Sequence, residues 1–173
     1  MPAYFLTNTI SDVANTYDMN TGDNSATTLL VSLGSGATVT TDFITAEYYP
    51  NNNGETSSNG TVVVIHTVSN MNITISAQKH RVSSTGTILA SGTAAAAVTT
   101  AATNTFTNLD DPTWTTTNCS DRVMLRLTYV NGAMSTQTVT IGTDRNTCYA
   151  LSSIDHNLGC SVLRKPSQIF FEK

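Results

Sequence analysis

Apolar and polar residues alternate with a period of two along much of this chain. In Met71–Val82, Ile73, Ile75 and Ala77 fall on one face and Thr74, Ser76 and Gln78 on the other, the signature of a strand with one face in a core. Asp121–Asn131 (DRVMLRLTYVN) is the strongest such stretch: Val123, Leu125, Leu127 and Tyr129 alternate with Arg122, Arg126 and Thr128. Thr61–Val68 (TVVVIHTV) is a continuous apolar run of strand length, suited to burial on both sides at its centre. Thr27–Leu33, Val39–Tyr49, Thr87–Ala90, Ser135–Ile141 and Thr147–Ile154 read as further strands, and Tyr4–Thr7 as a short first strand or an arm.

Turn residues punctuate this pattern. Gly34 and Gly36 end the Thr27–Leu33 strand, residues 50–60 (PNNNGETSSNG) form a long loop, and Ser83–Gly86 reads as a hairpin turn. Asn131-Gly132 is the strongest hairpin signal in the chain, and it predicts that residues 135–141 return antiparallel with Val139 and Ile141 inward. Ser11–Ala26 reads as a loop. Residues 92–105 (GTAAAAVTTAATNT) have no charge and no amphipathic stripe, which favours an extended edge segment over a short helix. Eight or nine short strands without a convincing helix predict an all-β fold, a two-sheet antiparallel β-sandwich of jelly-roll-like order. The chain reads as one domain, 1–173, with residues 1–10 and 161–173 as candidate arms.

Composition sharpens the picture. Charged residues make up only 12% of the chain, about half the usual ~25%, and Thr, Ser and Asn take their place. A surface of hydroxyls has weak long-range fields and little charge to desolvate when it packs against a copy of itself. No Lys or Arg precedes Lys79, and the net charge is −4. No basic patch with interleaved aromatics is present, so nucleic acid is not an expected partner. No run approaches the ~18 apolar residues of a membrane span. The first residues, MPAYFLTNTI, lack the features of a signal peptide, which predicts a protein that stays in the cytoplasm or leaves inside an assembled particle.

Candidate chemistry is sparse. Cys119, Cys148 and Cys160 are an odd set without a CxxC pair, and His66, His80 and His156 are scattered, so free thiols are expected and a zinc site is not. Asp18, Asn20, Gly22 and Asp23 resemble an oxygen-rich calcium loop, but the twelfth position, where a bidentate Glu is needed, is Leu29. Asp110-Asp111 before Pro112 reads as a turn. Asp121-Arg122 is read as structural, His66 as a hydrogen-bonded core or interface residue, and Lys79-His80-Arg81 as a solvated strand end. There is no G-x-S-x-G elbow and no carboxylate pair in a suggestive context. The expectation is a protein that is not an enzyme, with no catalytic residues, no metal and no cofactor.

The stretch 61–151 combines ITISAQKHRV, a turn STG, TILASGTAA, Trp114, DRVMLRLTYVNG and TQTVTIGTD. In that combination it resembles jelly-roll β-sandwich proteins of tailed bacteriophages, among them capsid decoration or cement proteins and tail or fibre accessory domains. The sequence departs from the pattern after Gly142, where TDRNTCYA replaces a glycine-rich turn, and the first 60 residues match nothing in it. The resemblance implies a virion structural protein on the capsid surface, assembled in the host cytoplasm. Its implied partners are the major capsid protein and further copies of itself, as a trimer or dimer. Attachment is expected through the apolar terminal residues Pro2, Tyr4, Phe5, Leu6, Ile169, Phe170 and Phe171. The alternatives are a tail or neck accessory protein and a carbohydrate-binding module, with Trp114, Tyr48 and Tyr49 as the stacking aromatics.

Overall fold

The computed structural model describes residues 3–20, 27–45, 60–68, 72–100, 102–110, 112, 121–143 and 148–150. These residues form twelve strands and no helix: β1 (Ala3–Ile10), β2 (Thr16–Asn20), β3 (Thr27–Leu33), β4 (Thr38–Thr45), β5 (Gly60–Val68), β6 (Ile73–Val82), β7 (Ile88–Ser91), β8 (Val98–Thr99), β9 (Thr103–Leu109), β10 (Arg122–Asn131), β11 (Gln137–Thr143) and β12 (Cys148–Ala150). One sheet runs β1-β2-β4-β10-β6-β7, with β8 also on β6. The other is built on β3, β11, β5 and β9, and β12 links β5 to β1 along one side. All pairs are antiparallel except β2 with β4. This is the all-β, two-sheet sandwich that the alternation predicts.

The core lies between the sheets. Val123, Leu125, Leu127 and Tyr129 of β10 and Ile73, Ile75 and Ala77 of β6 meet Val31 and Leu33 of β3, Val139 and Ile141 of β11, and Phe106 and Leu109 of β9. The period of two explains this directly. Each inward residue is almost fully buried, while Arg126 and Thr128 between them are only partly so. A smaller apolar group on the other face of the β4-β10-β6 sheet joins Ile44, Val82 and Met124 to Val13 of the 11–15 loop.

Gly86 seats that loop. Its φ is +85°, and a Cβ there would lie 2.4 Å from Val13 Cγ1. Gly86→Ala is therefore expected to cost roughly 1–3 kcal/mol through backbone strain and the clash, visible as a lowered midpoint in a thermal melt.

Four sequence expectations change. Ser11–Ala26 is not all loop, because Thr16–Asn20 is β2; its residues pair with both β1 and β4. Residues 3–10 are a strand and not a free arm, and Leu6 is fully buried in the core. Lys79 and His80 are 2% and 3% exposed, not solvated. The Asn131-Gly132 hairpin does not form, because β10 pairs with β4 and β6 whereas β11 pairs with β3 and β5.

The reason for the last difference is the Asn131 side chain. Its amide donates to the carbonyls of Leu33, Gly34 and Ser135, and its oxygen accepts from the Ala133 N–H. These bonds satisfy backbone groups at a corner that carries the chain from one sheet to the other. Other expectations hold: Ser83–Gly86 does turn β6 into β7, and the Ala-rich segment is extended, with Gly92, Ala95 and Thr100 donating to β6 carbonyls.

Candidate assembly surface

The described charged side chains are largely bound into the fold. Arg122, first residue of β10, donates two bonds to Asp12 at 2.6 and 2.7 Å, strapping the 11–15 loop to the sheet. Those bonds, with one from Ser11, hold the Asp12 carboxyl down at about 2. Arg126 makes the same bidentate contact with Asp42 of β4 at 2.8 and 2.7 Å, and that pairing keeps its guanidinium more firmly protonated. Two parallel N–H···O bonds of this kind combine charge with fixed geometry.

Six further titratable groups are largely buried. Arg81 Nε lies 3.0 Å from Asp121 Oδ2, an ion pair rather than a well-aligned hydrogen bond, with the two side chains 12% and 5% exposed. Lys79 shares the inward face of β6, where burial pulls its ammonium down to about 8 and Asp110 partly opposes the shift. His66 of β5 reaches across the sandwich to Tyr129, with Nδ1 3.2 Å from the phenol oxygen and the rings edge to face. Burial lowers His66 to about 4 and raises Tyr129 well above its ordinary value. On the opposite face of β6, His80 Nδ1 lies 2.8 Å from Ser91 Oγ, and burial followed by the charge of Arg126 lowers its pKa. No cluster of three or more His, Cys, Asp or Glu with metal-site geometry occurs among the described residues.

Among the described residues, several large apolar side chains remain at the surface. Leu30 on β3 is 67% exposed and Ile10 at the end of β1 is 75% exposed. They stand on the two lips of a groove of about 460 Å³ between β3 and the β2–β4 pair. Tyr17, Leu29 and Val39 line it together with backbone and hydroxyl groups, and no charged residue does. Met134, 97% exposed, projects from the corner after Asn131.

The sequence-derived candidates fall in different places. Of the N-terminal attachment residues, Leu6 belongs to the core and Phe5 is half-buried. Tyr4 lies on β1 opposite Tyr149. Pro2, Ile169, Phe170 and Phe171, and the aromatics Tyr48, Tyr49 and Trp114, lie outside the described residues, as do Asp111, Cys119, Cys160 and Gly22–Asp23 of the calcium-like loop. His66 is a hydrogen-bonded core residue as expected. Asp121 and Arg122 are structural as expected, each held in an ion pair. The groove was not foreseen. Its signal was present in β3, TTLLVSL, a strand of alternating burial that places one leucine on its outward face.

No protein-family model matches the chain, and no curated protein matches it. Among solved structures, the chain is similar to one in "Structure of infectious bursal disease virus Gx strain", at 10% identity and a TM-score of 0.31, covering 87% of this chain and 42% of that one. It is also similar to one in "The 2.6A structure of Infectious Bursal Virus Derived T=1 Particles", at 14% identity and a TM-score of 0.30, covering 86% and 41%. The chain thus spans less than half the length of either.

Proposed function

We propose that this protein is a structural component of a virion, a capsid decoration or cement protein that binds the outer face of a capsid built by a major capsid protein. The observation that carries this reading is the division of labour among its polar groups. Asp12, Asp42, Asp121, Arg81, Arg122 and Arg126 are bound in ion pairs that tie strands and loop together. Among the described residues, the surface left for contact is rich in hydroxyls and isolated apolar side chains such as Leu30 and Ile10. Such a surface suits burial against protein, where unpaired charge would be costly. The resemblance of residues 61–151 to phage decoration proteins points the same way, and the apolar segment Ile169–Phe171, with Pro2 and Tyr4, is the proposed attachment region.

Density-gradient fractionation of particles from the native source, with copy number counted by quantitative mass spectrometry, tests the proposal. Hundreds of copies per intact particle are expected. A dozen or fewer would place the protein in the tail or neck instead, and absence from particles would overturn the virion reading and favour a carbohydrate-binding role.

A further inference from the structure

We infer that β3 is a seam between two copies of this chain, which pair antiparallel through it about a twofold axis at Leu30. Among the described strands β3 pairs only with β11. That ladder is continuous from Thr27↔Thr143 to Leu33↔Gln137, without a bulge. Leu29, Leu30, Val31 and Ser32 of β3 line one side of the uncharged groove. Edge strands are ordinarily guarded by a charge, a proline or a bulge, because an open row of backbone donors and acceptors recruits another strand. β3, TTLLVSL, has no charge and no proline, and Leu30 at its midpoint is 67% exposed.

The sequence of β3 selects a second copy as the occupant. Its outward face reads Thr28, Leu30, Ser32, a pattern that keeps its polarity when reversed. In antiparallel pairing centred on Leu30, that leucine meets its own counterpart. Thr28 of each copy then stands opposite Ser32 of the other, and Leu29 opposite Val31. One apolar contact is thus flanked by two hydroxyl pairs, and cross-strand pairs of both kinds are favourable. A register shifted by two residues in either direction would set Leu30 against the hydroxyl of Thr28 or Ser32. The twofold contact is closed, so it yields a dimer and not a fibre.

Charge supports the same choice. Two copies carrying −4 each repel one another over most of their surface, but the groove residues beside β3 bring no charge to the contact. A strongly basic or acidic partner would find nothing there to recognise. Ile10 and Tyr17 on the opposite lip supply further apolar area beyond the strand pair itself. The dimer is a property of the free protein and does not depend on the capsid reading.

Sedimentation of the full chain in solution, together with cysteine cross-linking, decides the matter. The wild type should sediment at twice the 18.4 kDa protomer mass. Leu30→Asp, which sets two carboxylates face to face at the axis, should weaken association by at least ~100-fold with an unchanged far-UV circular dichroism spectrum. In Leu30→Cys, oxidation should give a Cys-to-Cys link between copies at position 30, identified by peptide mapping. Directly opposed residues in an antiparallel pair have Cα atoms ~4.5–5.5 Å apart, within disulfide range. Thr28→Cys should form a mapped link at that position only when mixed with Ser32→Cys. A monomeric wild type, a dimer unaffected by Leu30→Asp, or cross-links at position 30 that map elsewhere would each overturn the proposal.

Discussion

Asp121→Ala is expected to lower the free energy of unfolding by about 3 kcal/mol, among the largest losses available from a single polar residue here. Asp121 is 4% exposed, directly before the first residue of β10, and its partner Arg81 stands on the adjacent strand opposite Val123. Removing the carboxylate takes away the ion pair made by a guanidinium with 12% side-chain exposure. The cost comes from the cation left behind more than from the lost attraction.

A second variant separates these two contributions. Replacing both partners, Arg81→Met with Asp121→Leu, should recover most of the loss, because neither charge then has to be desolvated. Urea unfolding of the wild type, the single variant and the double variant measures this. A double variant as unstable as Asp121→Ala would mean that the pair contributes attraction beyond its desolvation cost. The Nε–Oδ2 contact is not a well-aligned hydrogen bond, and Asp121 Oδ1 has no hydrogen-bond partner among the described residues. Both features argue for the recovery.

Much of the sandwich was legible because the strand period is short and the core is apolar. In β6 and β10 every second residue is hydrophobic over most of the strand, and those residues are the core. What alternation encodes is which face of a strand is buried, not which strand lies beside it. Asn131-Gly132 illustrates the limit: the same dipeptide that suits a tight hairpin also allows an Asn amide to bind four backbone groups and turn the chain between sheets. The ion pairs were invisible for a related reason. Arg122 and Asp12 are 110 residues apart, and Arg126 and Asp42 are 84 apart. Nothing local to any of the four residues marks its partner. Lys79-His80-Arg81 was misread because a charged triplet ordinarily seeks water. Here strand geometry sends Lys79 and Arg81 to the inward face and His80 to the other.

The second large effect is a loss of stability in mild acid. His66 is 3% exposed between the sheets, and its pKa is lowered from 6.5 to about 4 by burial. The unfolded chain therefore takes up a proton near pH 6.5 while the folded chain resists until about pH 4. Stability from this residue is complete above pH 6.5 and declines as the pH falls through that window, reaching a loss of about 3 kcal/mol below it. The cause is burial, which the contact with Tyr129 does not relieve. A neutral imidazole can exchange one hydrogen bond with the phenol at Nδ1, whereas the imidazolium must donate from both nitrogens. Its Nε2 has no hydrogen-bond partner among the described residues, and Tyr129, whose own pKa is raised, stays neutral and offers no counter-charge. His80 is lowered as well and adds in the same direction, so the His66 share is read as a difference. His66→Gln keeps a polar partner for Tyr129 but cannot titrate, and its unfolding free energy should be flatter between pH 6.5 and 4 than that of the wild type by about 3 kcal/mol. Parallel pH profiles for the two proteins would show that protonation at the sheet interface is tolerated and that the acid sensitivity arises elsewhere. Asp12 provides the internal reference: held at about 2 by Arg122, it releases its contribution only as the pH falls from about 4 to 2, below the window in which His66 acts.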